Sequence, residues 1–177
     1  MAEDPKDAER WEAVEEATEL LAEERYNEAL AELKKALDRD PKNAYAYYYT
    51  GVAMFEVGEM EPARDAYRAA LTVAPRHLGA RVALSHVLRK IGDYKAAIRE
   101  GLVALEQAPT DGDAIYAVGM AYYSRGELGE AERYLSAFLA TRPEFEIKVE
   151  VEALIARIRE ERRPEAANDT DGEDEDD

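Results

Sequence analysis

The chain has 177 residues, with 23 basic and 40 acidic side chains and a formal charge of −17, a size that suits one domain or one short repeat array with a real core. That charge repels phosphate backbones and anionic headgroups, so nucleic-acid and membrane-surface binding are disfavoured. With no cysteine, disulfides, thiolate zinc sites, iron–sulfur ligation and cysteine nucleophiles are excluded.

Residues 1–9 read as an acidic lead-in. Met1-Ala2-Glu3-Asp4-Pro5 has no apolar stretch behind it, so no secretory signal is read; no window approaches the ~18 apolar residues of a membrane span, and a cytoplasmic protein is expected. From there the chain repeats. Pro41, Pro75, Pro109 and Pro143 recur at one constant interval. Sliding the sequence by that period aligns Ala29, Ala63, Ala97 and Ala131 in one column and Ala17, Gly51, Ser85 and Gly119 in another. A third column holds Gly58, Gly92 and Gly126, and a fourth Tyr26, Met60, Tyr94 and Leu128. Several columns of consistent chemistry define four units, 10–43, 44–77, 78–111 and 112–145.

Each unit reads as two antiparallel helices. Leu30, Leu33 and Leu37, and later Leu84, Leu88 and Ile91, recur at the three- and four-residue steps of one helical face. Small residues midway along the first helix and near the start of the second let the pair approach until their ridges interlock. Glycine suits a left-handed residue that ends the first helix, and proline stops the second. Unit one has Glu24 in place of the glycine. In unit three Gly101 stands where the equivalents are Leu33, Tyr67 and Leu135. It reads as a gap that a neighbour must fill or that supplies local flexibility, at a cost of ~1 kcal/mol relative to alanine.

These columns resemble the tetratricopeptide repeat, a helical hairpin of ~34 residues that stacks into a right-handed superhelix. The resemblance implies an all-α fold, an α-solenoid of stacked antiparallel helix pairs. The family's small first-helix position falls on Gly51 and Gly119, its small second-helix position on the four alanines, and its later aromatic on Tyr67. Its late small position, met by Ala36, Ala70 and Ala104, becomes Phe138 in unit four. That substitution fits a terminal unit facing something other than another repeat. After Pro143, residues Ile147, Val151, Leu154, Ile155 and Ile158 form one apolar stripe, so 146–163 is read as a helix that caps the stack. Residues 164–177 carry eight carboxylates, no base and no apolar side chain larger than alanine; such a tail cannot offset its ordering entropy and is expected to stay disordered.

No catalytic constellation survives inspection. His77 falls in a turn and reads as solvated, while His86 lies on the first helix of unit three with Val82 and Lys90 at the adjacent turns; a lone histidine supplies one of the ~4 ligands a metal needs. The glycines lack the lysine and hydroxyl of a phosphate-binding loop. The expectation is a protein without enzymatic activity, cofactor or metal.

In the family the first helices line the concave face, and the residues projecting there are Trp11 from unit one, Tyr45, Tyr48, Tyr49 and Val52 from unit two, Val82, His86, Arg89 and Lys90 from unit three, and Tyr116, Met120 and Tyr123 from unit four. Tyrosine and tryptophan dominate binding hot spots. Tyr47 and Tyr122 read as packing between helices instead. The family's clamp for a chaperone's terminal carboxylate is not matched: its lysine and asparagine positions hold Val14, Thr18 and Tyr49, and its later basic pair falls on Gly79 and Ala83. Three readings follow: an adaptor holding an apolar or aromatic segment of another protein in the groove, which Arg89 and Lys90 suit to some acidic character; a small acidic chaperone of the secretion type; and a scaffold whose copies pair through the terminal helix or unit one.

Overall fold

The computed structural model describes residues 6–163; the acidic segment 164–177 lies outside the described residues. Among these, ten helices follow one another without a strand: α1 (Asp7–Glu12), α2 (Glu15–Ala22), α3 (Tyr26–Arg39), α4 (Ala44–Glu56), α5 (Met60–Val73), α6 (Leu78–Lys90), α7 (Tyr94–Gln107), α8 (Gly112–Arg125), α9 (Leu128–Ala140) and α10 (Phe145–Glu161). Each helix packs on the next from α2 to α10, and α1 reaches α4. In addition α2 touches α4, α4 touches α6 and α6 touches α8, while no comparable approach joins α3, α5, α7 and α9 to one another among the described residues. The first helices of successive pairs are therefore drawn together and the second helices splayed apart. That makes an α-solenoid whose inner, concave face is built from α2, α4, α6 and α8.

The packing explains the small-residue columns. A Cβ on Gly51 would stand 2.5 Å from the ring of buried Tyr67, and one on Gly119 would stand 3.0 Å from Leu135. Ser85 is buried and donates its hydroxyl to the Ala97 carbonyl at 2.8 Å, so the polar member of that column is satisfied across the same helix contact. Ala29, Ala63, Ala97 and Ala131 have no exposed surface.

Helix ends follow the expected turn chemistry. Gly58, Gly92 and Gly126 adopt φ of 85°, 87° and 85°, the left-handed region where a Cβ is penalised. Glu24 takes the same turn at φ 59° and carries that penalty. Asn43, His77, Asp93 and Asp111 each accept the backbone N–H three residues on and so cap α4, α6, α7 and α8. The imidazole of His77 performs this with Nδ1, 3.1 Å from Ala80 N. It is half-buried rather than solvated, and burial lowers its basicity.

Three further features differ from the sequence expectation. The first helix of unit one begins at Asp7, inside the stretch read as lead-in, and is divided into α1 and α2 at Ala13 and Val14, where Val14 N–H bonds back to Trp11 O at 2.9 Å in a tightened turn. Gly101 is no gap, since its missing Cβ would lie 2.6 Å from Val118 Cγ2 and 3.3 Å from Ser85 Oγ. Of the two compensations, it is the neighbour that fills the space, and α8 leans into α7. The capping helix runs from Phe145 to Glu161. Its Val151, Ile155 and Ile158 are buried against Ile115, Leu135 and Phe138, and Glu132 of α9 accepts from Arg159 at 2.7 Å and from Arg162.

Candidate protein-binding groove

At the start of the stack α1 meets α4. Asn43 has no exposed surface; it caps Ala46 N–H and donates its amide to Arg10 O at 2.8 Å, and Arg10 pairs with Asp40 at 2.7 Å. This knot holds the end of α1 over the start of α4 and sets Trp11 against two α4 tyrosines. The Trp11 ring stands edge-on to Tyr45 at 5.5 Å and 6.1 Å from Tyr49. Tyr49 in turn meets Tyr48 at 5.0 Å, and Tyr48 meets Tyr67 at 6.0 Å and His77 at 4.9 Å. One aromatic network thus runs from α1 across α4 to the start of α6, worth ~1 kcal/mol per ring pair beyond area. Tyr45 donates to Asp7 Oδ2 at 3.1 Å. Burial raises the hydroxyl pKa values of Tyr45, Tyr48 and Tyr49, and the Asp113 charge raises that of Tyr48 further.

Beyond Tyr48 the groove opens into two adjoining hollows. The first, about 330 Å³, is lined by Tyr48, Leu78, Gly79, Val82, Ala83, His86, Asp111 and Asp113. The second, about 280 Å³, is lined by Phe55, Tyr67, Ala83 and His86. Val82 forms a floor, being 8% exposed and packed against Ala104, Ala114 and Ala117. Val52 is half-buried and packs with Phe55 against the core of units two and three. His86 divides the hollows; burial, followed by the charges of Arg89 and Lys90, pushes its imidazole down to about 4. At neutral pH it is therefore an uncharged wall. Lys90 is exposed, whereas Arg89 is half-buried and its Nε has no hydrogen-bond partner among the described residues.

The α8 end is more enclosed than the sequence suggests. Tyr116 lies between His86 at 6.1 Å and Phe138 at 5.0 Å, and Met120 and Tyr123 pack against the cluster that α10 completes. Arg157 of α10 lies over the Tyr123 ring at 5.5 Å and donates to its hydroxyl. Tyr123 is thus already engaged within the chain, and the capping helix closes that end of the groove. Tyr122 stacks on Tyr134 at 5.6 Å, in the inter-helix role read for it.

Sequence reasoning passes over Gly79, Asp111 and Asp113 as groove residues. The period itself holds the signal. Trp11, Tyr45, Gly79 and Asp113 are each one repeat period apart, so they occupy one position on four first helices. Among the described residues no group of three or more histidine, aspartate or glutamate side chains is arranged to hold a metal, and no helix is long and apolar enough to cross a membrane.

Comparison with known proteins places this arrangement. The family described as tetratricopeptide repeat matches residues 14–76, 58–112 and 82–144. Among solved structures, pilF of Pseudomonas aeruginosa superposes with a TM-score of 0.77 at 22% identity, covering 89% of this chain and 72% of that one. A crystal structure of MamA gives 0.72 at 18% identity, covering 89% and 85%. MamA from Desulfovibrio magneticus gives 0.68 at 19%, covering 92% and 100%. At these identities the likeness is one of fold. No curated protein matches the sequence.

Proposed function

The chain belongs to the tetratricopeptide-repeat family, and from that premise we propose that it is a non-enzymatic adaptor that holds an apolar or aromatic segment of a partner protein along its concave face. The four units are taken as 10–43, 44–77, 78–111 and 112–145, as the periodic columns divide them. The observation that carries the reading is the aromatic network in which Trp11 meets both Tyr45 and Tyr49, and Tyr49 leads through Tyr48 toward two open hollows. Rigid aromatic rings offer a large contact area at low entropy cost.

A photo-crosslinking amino acid at position 48, compared with one at exposed Lys34 on the outer helix α3, tests the reading in cell extract. A stoichiometric partner captured from position 48 alone is expected. Tyr48→Ala and Tyr116→Ala are then expected to weaken the captured partner by ~2 kcal/mol each, about thirtyfold, with unchanged helical circular dichroism. Equal capture from position 34, or undiminished affinity in both variants, removes the groove from consideration.

A second reading, self-association through the terminal helix, is favoured by one observation. Phe145 and Val149 stand one turn apart on α10 and are 76% and 46% exposed. Mass photometry of the wild type against Phe145→Asp combined with Val149→Asp checks it: a shift to monomer supports pairing there, and identical mass distributions exclude it.

A further inference from the structure

We propose that the first hollow is a subsite for an arginine or lysine side chain of the partner segment, an inference that rests on the groove reading and specifies its chemistry. The hollow is open because unit three has no side chain where units one and two place Trp11 and Tyr45. A Cβ on Gly79 would meet the Tyr48 hydroxyl at 3.5 Å and His77 at 3.6 Å, so any longer side chain would occupy the space. One wall is apolar, made by Leu78, Val82 and Ala83, and suits the aliphatic stem of a long basic side chain. The Tyr48 hydroxyl and ring edge border the opening above Gly79.

At the α8 side stand two carboxylates. Asp111 spends one oxygen on the cap, accepting Ala114 N–H at 2.8 Å, and its other oxygen has no hydrogen bond within the described residues. Asp113 forms neither a hydrogen bond nor an ion pair within the described residues and is exposed, yet its charge is felt at the Tyr48 hydroxyl across the groove. Among the described residues no lysine or arginine lines the hollow, and His86 is uncharged at neutral pH. Among the described residues these two and His86 are not arranged to hold a metal ion. A guanidinium or ammonium needs no such coordination and gains charge-assisted hydrogen bonds from the two aspartates. The net charge of −17 also steers cationic segments toward the protein. The partner is thus a segment with an apolar or aromatic residue for the Phe55 hollow and a basic residue for its neighbour.

The test uses the full chain as bait for a displayed library of random peptides, followed by synthetic versions of the selected peptides. Binders are expected to be enriched in arginine or lysine beside an apolar residue. Replacing that arginine with citrulline, which keeps the shape and removes the charge, is expected to lower affinity about tenfold. Asp111→Asn combined with Asp113→Asn should cost the same factor, with no further loss from citrulline, because asparagine preserves the cap. Gly79→Leu leaves the net charge unchanged and fills the hollow, so it separates the subsite from general attraction and is expected to reproduce the loss. Groove-dependent peptides without basic enrichment, or a citrulline effect equal in wild type and the double asparagine variant, overturn the subsite and leave the groove intact. A library that yields no binder, or only binders indifferent to Tyr48→Ala and Tyr116→Ala, overturns both.

Discussion

Acidification should destabilise the solenoid through His86. This imidazole is half-buried at the boundary of the two hollows, where Tyr116 faces it from α8 and Asp111 and Asp113 share the first hollow. Burial, then Arg89 and Lys90, push its pKa down from 6.5 to about 4. The unfolded chain therefore takes up a proton below 6.5 that the folded chain refuses until about 4. Stability is fully present above the unfolded value and is lost as pH falls between the two. Integration over that window gives a loss of about 2 kcal/mol by pH 5 and about 3 kcal/mol by pH 4. Urea unfolding followed by far-ultraviolet circular dichroism, on the wild type and on His86→Gln, isolates the effect. The contribution of His77, also held below its ordinary value, and those of the paired carboxylates Asp40 and Glu132 are common to both proteins and cancel in the difference. The two stability curves should converge by about 2 kcal/mol between neutrality and pH 5. Curves that stay parallel through that range would place His86 in contact with water and refute the reasoning.

Gly101→Ala should lower stability by about 1 kcal/mol by calorimetry, because overpacking against Val118 outweighs the gain in helix propensity; a higher melting temperature would contradict the close approach. Glu24→Gly should raise stability by about 1 kcal/mol by removing a left-handed residue with a Cβ, and unchanged denaturant midpoints would show that the turn carries no strain. His77→Ala should cost about 1 kcal/mol through loss of the α6 cap, whereas His77→Asn should retain most of it; equal losses in the two variants would assign the role of His77 to its ring contacts instead.

The solenoid is legible in the sequence because its determinants recur. Each small-residue column marks a contact made within one helix pair, so a comparison of units reveals it; Gly51 against Tyr67 and Gly119 against Leu135 are examples. Gly101 misleads for the same reason. Its space is filled by Val118 of the following unit, a neighbour that no comparison of equivalent positions contains. His77 reads as a solvated turn residue, although Asn43, His77 and Asp111 are each one repeat period apart and all three cap first helices. Histidine is an uncommon cap, and its side chain conceals a position that asparagine and aspartate declare. The groove is partly legible. Tyr48 and Phe55 of α4 line the two hollows, but the enclosure of Tyr123 depends on Arg157, a residue of the capping helix whose packing the repeat does not specify.

Phe55, Arg89, Tyr123 and Arg157 also follow one another at the repeat period, so the capping helix continues the inner surface as though it were a fifth first helix. Arg157 settles on Tyr123 because the column brings a guanidinium beside a ring at the helix-to-helix spacing of the stack. The same geometry places Arg89 between Phe55 and Tyr123 in sequence register, with its Nε buried and without a partner among the described residues. A repeat backbone thus fixes where side chains stand, and substitution within a column decides what each stretch of groove can hold. The column of Trp11, Tyr45, Gly79 and Asp113 passes from aromatic, to open, to acidic along the stack. A partner segment lying along the inner face would meet those chemistries in that order, and its specificity would follow from matching several weak, ordered contacts rather than one deep pocket.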